Sequence, residues 1–284
     1  MVRLLRELKA RLRGAGLSEG EALDLLALAS NLPRKDLLLS LPKTPPPGTA
    51  EKARALLERR LAGYPLQYLL GEVEFFGLPL KVAEGVLIPR PETEGLVELA
   101  LGLPLPKAPR ILDVGTGTGA IALALKEALP QAEIWATDIE PKALALAQEN
   151  ANKLGLEVNF LLAPLTAGLK GLDLIVSNPP YLPQGYRSQA PPELGHEPPK
   201  ALYAGEEGLD VARPLAEEAF WALKPGGFFL LELAPENIHR LAEELRGRWE
   251  GVEVLRDLAG RDRYLRARRP AQKLEGKEGP FRGP

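Results

Sequence analysis

Cysteine is absent from this sequence and histidine occurs only twice, which excludes two common kinds of stabilising site. Without cysteine there is no disulfide framework, and a zinc site of the usual ligand types has too few candidates. The longest apolar runs fall far short of the roughly 20 residues that a membrane-spanning helix needs. The N-terminal segment is charged throughout and lacks the apolar block of a signal peptide. We therefore expect a metal-free, cytoplasmic protein with no membrane partner.

Excess charge of either sign is also lacking, because 36 basic and 38 acidic side chains give a net charge of −2. This balance argues against a protein dedicated to binding nucleic acid phosphates. The charge is nevertheless uneven: residues 1–70 carry 12 basic and 7 acidic side chains, or +5, which leaves −7 for the remainder. The difference favours two units with different roles, although two ordinary solvated surfaces explain it equally well.

The first part of the chain has the pattern of a small helical unit. Apolar residues recur at helical spacing in its first segment: Leu4, Leu5, Leu8 and Leu12. Ser18 and Glu21 have the spacing of a capping box before the next apolar run. Short β-rich pieces punctuated by glycine follow. We predict a helical domain over residues 1–70 and a β-hairpin linker over residues 71–88.

From residue 109 onward, strand-like runs such as "RILDV" and "LDLIVS" alternate with helix-like runs such as "GAIALALKEAL". This alternation predicts a parallel sheet with helices on both faces, and hence an α/β fold. The last two runs, "VEVLRDL" and "RYLRAR", are separated only by "AGRD", so they must pair as an antiparallel hairpin at the sheet edge. We place this domain at residues 89–270 and expect the polar tail, residues 271–284, to be disordered.

A glycine-rich segment, "DVGTGTGA", follows the first strand of this domain and opens a helix. Glycine lets the backbone turn sharply and approach a ligand, while the helix N-terminus offers free N–H groups. The same glycine pattern fits a dinucleotide site, but Asp113 inside the strand end and the antiparallel final hairpin favour S-adenosylmethionine. A turn without any ligand is the simpler alternative. The predicted binding residues are Gly115, Thr116, Gly117, Thr118 and Gly119, with Asp138 at the second strand end for the ribose hydroxyls.

The segment "SNPPY" follows the apolar run "LDLIV". Prolines cannot donate to a sheet ladder, so the strand ends there and presents Asn178 at its carboxyl tip, where open α/β sheets bind ligands. The Asn178 side-chain oxygen and the Pro179 carbonyl are two acceptors suited to the two hydrogens of a planar amino group. Holding both N–H bonds orients a weakly nucleophilic nitrogen toward a methyl donor and stabilises the developing positive charge. An Asx-type turn is the simpler explanation of Asn178 alone.

We therefore predict an amino-group clamp next to the donor, in which Asn178 also contacts the donor itself. Its members are Asn178, Pro179, Pro180 and Tyr181. The Tyr181 ring is expected to stack on the planar substrate group or to shield a cationic sulfonium. No strong base is needed before transfer, because a methylated amide nitrogen is far more acidic and loses its proton afterwards.

Six segments carry a specific resemblance, and they occur in the chain in this order: "RRLAGYPLQYLLG", "VLIPRPETE", "DVGTGTGAIALAL", "IVSNPPY", "HEPPKALYAGEEGLD" and "DLAGRDR". The sequence thereby resembles the HemK/PrmC family of bacterial release factor glutamine N5-methyltransferases over most of residues 59–263. The resemblance implies a Rossmann-like seven-stranded S-adenosylmethionine-dependent methyltransferase domain behind a small helical substrate-recognition domain. It also implies that the substrate is the glutamine of the Gly-Gly-Gln motif in class-1 peptide-chain release factors.

Two segments depart from the family pattern. After the third strand the family often has an Asp followed by an aromatic or apolar residue near the adenine, whereas this chain has Ala163, Pro164 and Leu165. Adenine contacts there must be backbone or apolar. The loop after Glu232 also differs from the family pattern. For His196 and Glu197 two roles are open: they help to close the site, or they lie in a surface loop.

A DNA or RNA amino-methyltransferase is the main alternative, because many such enzymes share the glycine loop and the "NPPY" motif. It would need a basic groove, and five arginines keep it open: Arg261, Arg263, Arg266, Arg268 and Arg269. A net charge of −7 outside the helical unit disfavours it, so no dedicated nucleic-acid partner is expected. A catalytically silent donor-binding protein is a third possibility, which the intact "NPPY" motif disfavours.

Overall fold

The computed structural model describes residues 1–41 and 44–271. The predicted disordered tail lies outside these residues except for Ala271. Among the described helices, none is both long and apolar enough to span a bilayer.

The N-terminal part is helical, as the leucine spacing predicts. Its helices are α1 (Val2–Gly14), α2 (Glu21–Ser30), α3 (Arg34–Ser40), α4 (Thr49–Leu61) and α5 (Leu66–Leu70). The four spaced leucines of α1 are all buried, and they pack against Leu25 and Leu26 of α2 and Leu57 of α4. Each leucine of this kind contributes about 1.5–3 kcal/mol when fully buried. The helical unit therefore has an apolar core of its own.

A two-stranded antiparallel hairpin follows, with β1 (Glu72–Phe75) and β2 (Leu78–Lys81). Phe75 and Leu80 are almost completely buried within the core of the following domain. The Lys81 backbone N–H also donates to Asn150 Oδ1 at 2.7 Å. The hairpin is thus packed on the larger domain, and a 3₁₀ turn over Pro91–Thr93 leads into α6 (Glu94–Leu101).

The larger domain contains a seven-stranded sheet, as the family resemblance implies. Its strands are β3 (Arg110–Val114), β4 (Glu133–Asp138), β5 (Asn159–Leu162), β6 (Leu172–Ser177), β7 (Leu223–Glu232), β8 (Glu250–Arg256) and β9 (Asp262–Arg268). The first five run parallel in the order β5-β4-β3-β6-β7. Strands β8 and β9 form the predicted antiparallel edge hairpin, with β9 next to β7.

Helices cover both faces of the sheet: α6, α7 (Ala120–Ala128) and α8 (Pro141–Leu154) contribute to one core, and α10 (Ala212–Ala222) and α11 (Ile238–Leu245) contribute to the other. The short helix α9 (Pro199–Leu202) lies in the connection between β6 and α10. Successive residues of β7 alternate between two cores, with Phe229 and Leu231 on one side and Leu230 on the other. Sheets covered on both faces have this strand pattern, which reads in sequence as a nearly continuous apolar run.

The direction of strand order changes at β3, because β4 lies on one side of it and β6 on the other. In open α/β sheets, ligands bind at such a switch point, outside the carboxyl ends of the strands. The pairing of Val114 with both Thr137 and Ser177 brings the ends of these three strands level. The segments that follow them, the glycine loop, Asp138 and "NPPY", therefore meet at one edge.

Buried Arg60 connects the helical unit to the larger domain. Its Nε donates to Glu21 Oε2 at 2.6 Å, and its Nη1 donates to Glu193 Oε1 at 3.1 Å in the loop after β6. The capping box predicted for Ser18 and Glu21 is wrong, because α2 begins at Glu21 and the Glu21 carboxylate binds Arg60 instead. A tertiary ion pair has replaced the local cap.

Candidate active site

A cavity of about 330 Å³ opens at the carboxyl ends of β3, β4 and β6. Small-molecule sites typically span roughly 300–1,000 Å³. Most of the predicted site residues line this cavity: Gly115, Thr116, Gly117, Thr118, Asp138, Asn178 and Pro180. Gly119, Pro179 and Tyr181 lie next to these residues in the chain but are not part of its wall.

Two kinds of glycine make up the loop after β3. Gly115 and Gly117 have φ of 70° and 57°, and a Cβ on either would meet nothing nearer than 4.0 Å. Space on that side lets a ligand approach the backbone closely. Gly119 also has positive φ, but a Cβ there would lie 3.0 Å from Leu123 and 3.2 Å from Ala147. Gly119 therefore serves the packing of α7 on α8, while the other two border the cavity.

Asp138 ends β4, as predicted, and it is held by backbone donors. Its Oδ2 accepts from the Gly117 N–H at 2.9 Å, and its Oδ1 accepts from the Glu140 N–H at 3.0 Å. A carboxylate has about four acceptor positions, so each oxygen keeps capacity for a hydroxyl donor in the cavity. This fixed and half-buried carboxylate suits a ribose diol.

Asp113 lies under the glycine loop and is fully buried. Its Oδ2 accepts from the Thr116 hydroxyl at 2.7 Å and from the Ala122 N–H at 3.2 Å, while its Oδ1 has no partner among the described residues. Burial raises the pKa of this carboxyl to about 7, against the opposing effect of both hydrogen bonds. Asp113 thus holds the loop but carries unsatisfied acceptor capacity.

Apolar residues complete the donor side of the cavity. Ala163, Pro164 and Leu165 line it, in agreement with the expectation that contacts there are apolar or backbone. Sequence reasoning missed Ile139, which also lines the cavity and is 56% exposed. Its position directly after Asp138 was the available signal. Val86 and Pro89, from the segment between the hairpin and α6, also line the cavity.

Asn178 is half-buried at the tip of β6. Its Nδ2 donates to the Thr93 hydroxyl at 3.2 Å, and Ser177 before it donates from Oγ to the Val114 carbonyl at 2.7 Å. Within the part of the chain that the structure describes, no donor is paired with Asn178 Oδ1. The strand tip is thereby fixed to β3, and one acceptor oxygen remains free beside the cavity.

Tyr181 is not among the residues that line the cavity. Its hydroxyl lies 3.4 Å from Glu232 Oε1, and its carbonyl accepts from Asn237 Nδ2 at 2.9 Å. Burial raises the pKa of the Tyr181 phenol, so the hydroxyl keeps its proton and can donate. Pro179 is buried behind the rim. Stacking of Tyr181 on a substrate group stays a prediction.

The loop between β6 and α10 contains His196 and Glu197, for which the sequence left open either a role in closing the site or a place in a surface loop. The buried Glu197 carboxylate accepts from the Ile88 N–H at 2.9 Å and forms an ion pair with Arg90. His196 packs edge-on against the Tyr64 ring at a centroid distance of 5.2 Å. Glu197 thus anchors the segment that carries Val86 and Pro89, and neither side chain lines the cavity.

The five arginines that left a nucleic-acid substrate possible form ion pairs or hydrogen bonds within the chain. Arg261 and Arg263 pair with Asp257, and Arg266 pairs with Glu253. Arg268 and Arg269 donate to the backbone carbonyls of Gly226 and Leu223. These contacts attach the five arginines to the edge hairpin and to neighbouring backbone groups. Among the described residues, no group of three or more His, Cys, Asp or Glu is placed to hold a metal ion, and the metal-free expectation stays a prediction.

Comparison with known proteins finds two matching family profiles. The profile described as "PrmC N-terminal domain" matches residues 3–71, and the one described as "Methyltransferase small domain" matches residues 96–205. Two solved structures share the fold at low sequence identity. A methyltransferase from Pyrococcus furiosus aligns with a TM-score of 0.54 at 20% identity, over 78% of this chain and 98% of that chain. A 16S rRNA N2 methyltransferase from Thermus thermophilus, solved with AdoMet and guanosine, aligns with a TM-score of 0.53 at 22% identity, over 70% of this chain and 49% of that chain.

Curated relatives are much more similar to this chain. A release factor glutamine methyltransferase from Deinococcus radiodurans is 53% identical, over 94% of this chain and 97% of its own length. Another from Moorella thermoacetica is 44% identical, over 88% of this chain and 90% of its own length. The resemblance seen in six short segments thus extends over nearly the whole sequence. This chain belongs to the release factor glutamine methyltransferase family.

Proposed function

We propose that this protein transfers a methyl group from S-adenosylmethionine to the side-chain amide nitrogen, N5, of the glutamine in the Gly-Gly-Gln motif of class-1 release factors. The observation that carries the proposal is the free Asn178 Oδ1 at the rim of a cavity that also holds the glycine loop and Asp138. Membership of the family supports this substrate over a nucleic acid base.

On the donor side, the chain supplies a cradle that fits S-adenosylmethionine. Gly115 and Gly117 leave room for close approach, the backbone-held Asp138 accepts hydroxyl hydrogens, and Ile139 covers an apolar face. Thr116 and Thr118 lie in the same wall. S-adenosylmethionine, when bound, supplies an electrophilic methyl group on a positively charged sulfur.

On the acceptor side, Asn178 Oδ1 and the Pro179 carbonyl accept the two amide hydrogens of the glutamine. An amide nitrogen is a weak nucleophile because its lone pair is delocalised into the carbonyl group. Two fixed acceptors hold the nitrogen toward the methyl group and stabilise the positive charge that develops as the new N–C bond forms. The bond between sulfur and the methyl carbon breaks as the N–C bond forms, so S-adenosylhomocysteine leaves as a neutral thioether. The methylated nitrogen then releases a proton to solvent, and the product is neutral N5-methylglutamine.

The helical unit, residues 1–70, is proposed to dock the release factor. Its net charge of +5 against −7 for the remainder sets it apart, and Arg6 and Lys35 are exposed on it. Arg60 joins the unit directly to the loop that follows the clamp. A partner in translation also agrees with the cytoplasmic location expected from the sequence.

Mass spectrometry of a class-1 release factor, incubated with the protein and isotope-labelled S-adenosylmethionine, tests the activity. We expect one added methyl group on the glutamine of the Gly-Gly-Gln motif and none on a release factor whose motif glutamine is replaced by asparagine. An adenine-containing DNA duplex is the parallel substrate. Methylation of the DNA without methylation of the release factor would overturn the proposal.

Charge reversal tests the docking role separately. Arg6→Glu combined with Lys35→Glu should lower methylation of an intact release factor several-fold and leave transfer to a Gly-Gly-Gln peptide unchanged. The matched control is Lys107→Glu, an exposed lysine outside the helical unit. An equal effect of both changes on intact release factor would refute docking by this unit.

A further inference from the structure

The segment "VLIPRPETE" carries much of the family resemblance, yet the proposed chemistry does not use its threonine. Thr93 ends the 3₁₀ turn Pro91–Thr93 and is only 4% exposed. Its hydroxyl accepts from Asn178 Nδ2 at 3.2 Å. The same hydroxyl lowers the pKa of the Glu232 carboxyl. Thr93 therefore lies between the clamp residue and a buried acidic residue.

Glu232 is the last residue of β7 and is completely buried. Leu231 before it pairs with Ser177, so Glu232 lies level with Asn178 on the neighbouring strand. Its Oε2 has no hydrogen-bond partner among the described residues. Burial raises the pKa of this carboxyl, while the Thr93 hydroxyl, the charge of Arg263 and the Tyr181 hydroxyl act in the opposite direction. A buried and incompletely paired acid costs stability, which calls for a compensating role.

A hydrogen-bond chain from Asn178 through Thr93 to an ionised Glu232 would have only one possible direction. A threonine hydroxyl has one hydrogen to donate, and a carboxylate can only accept. If Thr93 donates to Glu232, its oxygen can only accept from Asn178, so the Asn178 amide must present Nδ2 to Thr93. Its Oδ1 then faces the cavity, where the clamp needs an acceptor. The opposite orientation would present an N–H donor to an incoming amide N–H group.

We propose that Thr93 and Glu232 are positioning residues that fix the side-chain amide of Asn178 with its oxygen toward the substrate. This inference rests on the proposed function, because the required orientation is that of a clamp for an –NH₂ group. Protonation of Glu232 would allow the chain to reverse, and the isosteric change Glu232→Gln imitates that state. Thr93 lines the cavity with an uncharged side chain, Glu232 is not part of the cavity wall, and neither residue is assigned a step in the transfer itself.

The test is single-turnover methyl transfer to a Gly-Gly-Gln peptide, with donor affinity measured by calorimetry on the same samples. Thr93→Val keeps the shape but removes the hydroxyl, and we expect the rate to fall roughly 10-fold or more with donor affinity changed by less than about threefold. Glu232→Gln should lower the rate similarly. Thr93→Ser restores the hydroxyl and should keep the rate within about threefold of wild type.

A double-mutant cycle separates positioning from general loss of structure. In an Asn178→Ala background, Thr93→Val should cause no further loss of rate, because the group that it orients is already absent. Thr166→Val is the matched control, since Thr166 is a buried threonine that donates to Glu218 at 2.7 Å away from the clamp, and its transfer rate should be unchanged.

Two results would overturn the positioning role: a wild-type rate for Thr93→Val, or an equal loss of rate from Thr93→Val in both backgrounds. Both results require that the wild-type protein methylates the peptide, so neither of them contradicts the proposed function. If wild-type protein methylates neither release factor nor peptide, the proposed function itself fails.

Discussion

The two halves of the cavity are built from different parts of the chain. On the donor side, backbone geometry sets the shape of the cavity wall: Gly115 and Gly117 leave open space, and the Asp138 carboxylate is held by two main-chain N–H groups. On the acceptor side, the side chains of Asn178 and Thr93 are hydrogen-bonded to each other, and Glu232 from a third segment is proposed to hold the Thr93 hydroxyl. Backbone geometry is set by the fold as a whole, whereas a side-chain network depends on each member. Single substitutions should therefore affect methyl transfer more than donor binding.

The largest effect is expected at Asn178. Asn178→Ala removes a preorganised acceptor that matters most in the transition state, so transfer should slow by roughly 10²-fold or more. Donor affinity should stay within a few-fold, which calorimetry and single-turnover kinetics can measure together. Asn178→Asp sharpens the comparison: its charge attracts the donor, but it has no amide hydrogen for Thr93, so binding should persist while transfer remains slow. Near-wild-type transfer by Asn178→Ala would remove the clamp from the mechanism.

Asp138 should give the largest loss on the donor side. Asp138→Ala removes charge-assisted hydrogen bonds and should weaken S-adenosylmethionine binding by about 1.5–3 kcal/mol, or about 10- to 150-fold. Asp138→Asn keeps one acceptor oxygen, so its affinity for the donor should lie between those of the wild type and the alanine variant. Thermal unfolding of each variant verifies that the fold is retained. Unchanged affinity in calorimetry would exclude Asp138 from the donor site.

Asp113 should give a smaller, pH-dependent effect on stability without ligand. Its folded-state pKa of about 7 lies above the ordinary 3.8, so the folded protein binds a proton more tightly than the unfolded chain. The resulting stability is present below pH 3.8 and is lost as the pH rises to about 7, with a limiting slope of about 1.4 kcal/mol per pH unit.

Urea unfolding at several pH values between 5 and 8 measures this contribution. Asp113→Asn cannot titrate, so the stability difference between variant and wild type should shift in favour of the variant as the pH rises. Parallel pH curves for the two proteins would show that Asp113 keeps an ordinary pKa in the folded state.

The smallest effect is expected at an apolar side chain on the donor side. Ile139→Ala removes part of an apolar wall and should weaken donor binding by about two- to fivefold. Leu162→Ala is the matched control, because Leu162 is similarly exposed, 59% against 56%, but does not line the cavity. Equal losses from both changes would show that Ile139 makes no specific contact with the donor.

The fold and the local motifs could be predicted because their signals are local. The spacing of the α1 leucines, the strand-helix alternation and the short connection between β8 and β9 each specify a structure directly. The start of β7 could not be placed from the pattern, since Leu223 extends the strand by pairing with Leu172 before a register shift. Such pairing depends on a partner about fifty residues away.

The acceptor network could not be found from sequence for the same physical reason. Thr93 and Asn178 are 85 positions apart, and Glu232 lies on a third segment. Nothing in the local pattern of any one of them indicates the other two. A tertiary contact likewise determines the partner of Glu21. Its carboxylate pairs with Arg60 and does not cap α2, because a buried guanidinium needs a carboxylate partner.

The buried position of Arg60 limits how the acceptor side can move. Its guanidinium binds Glu21 within the helical unit and Glu193 in the loop after the clamp. Separating these parts would strand a buried charge, at a cost of about 3–5 kcal/mol when one partner of such a pair is lost. In kinematic terms, the loop and the helical unit are constrained to travel as one body. Any hinge that admits a protein loop to the cavity must therefore lie outside that body.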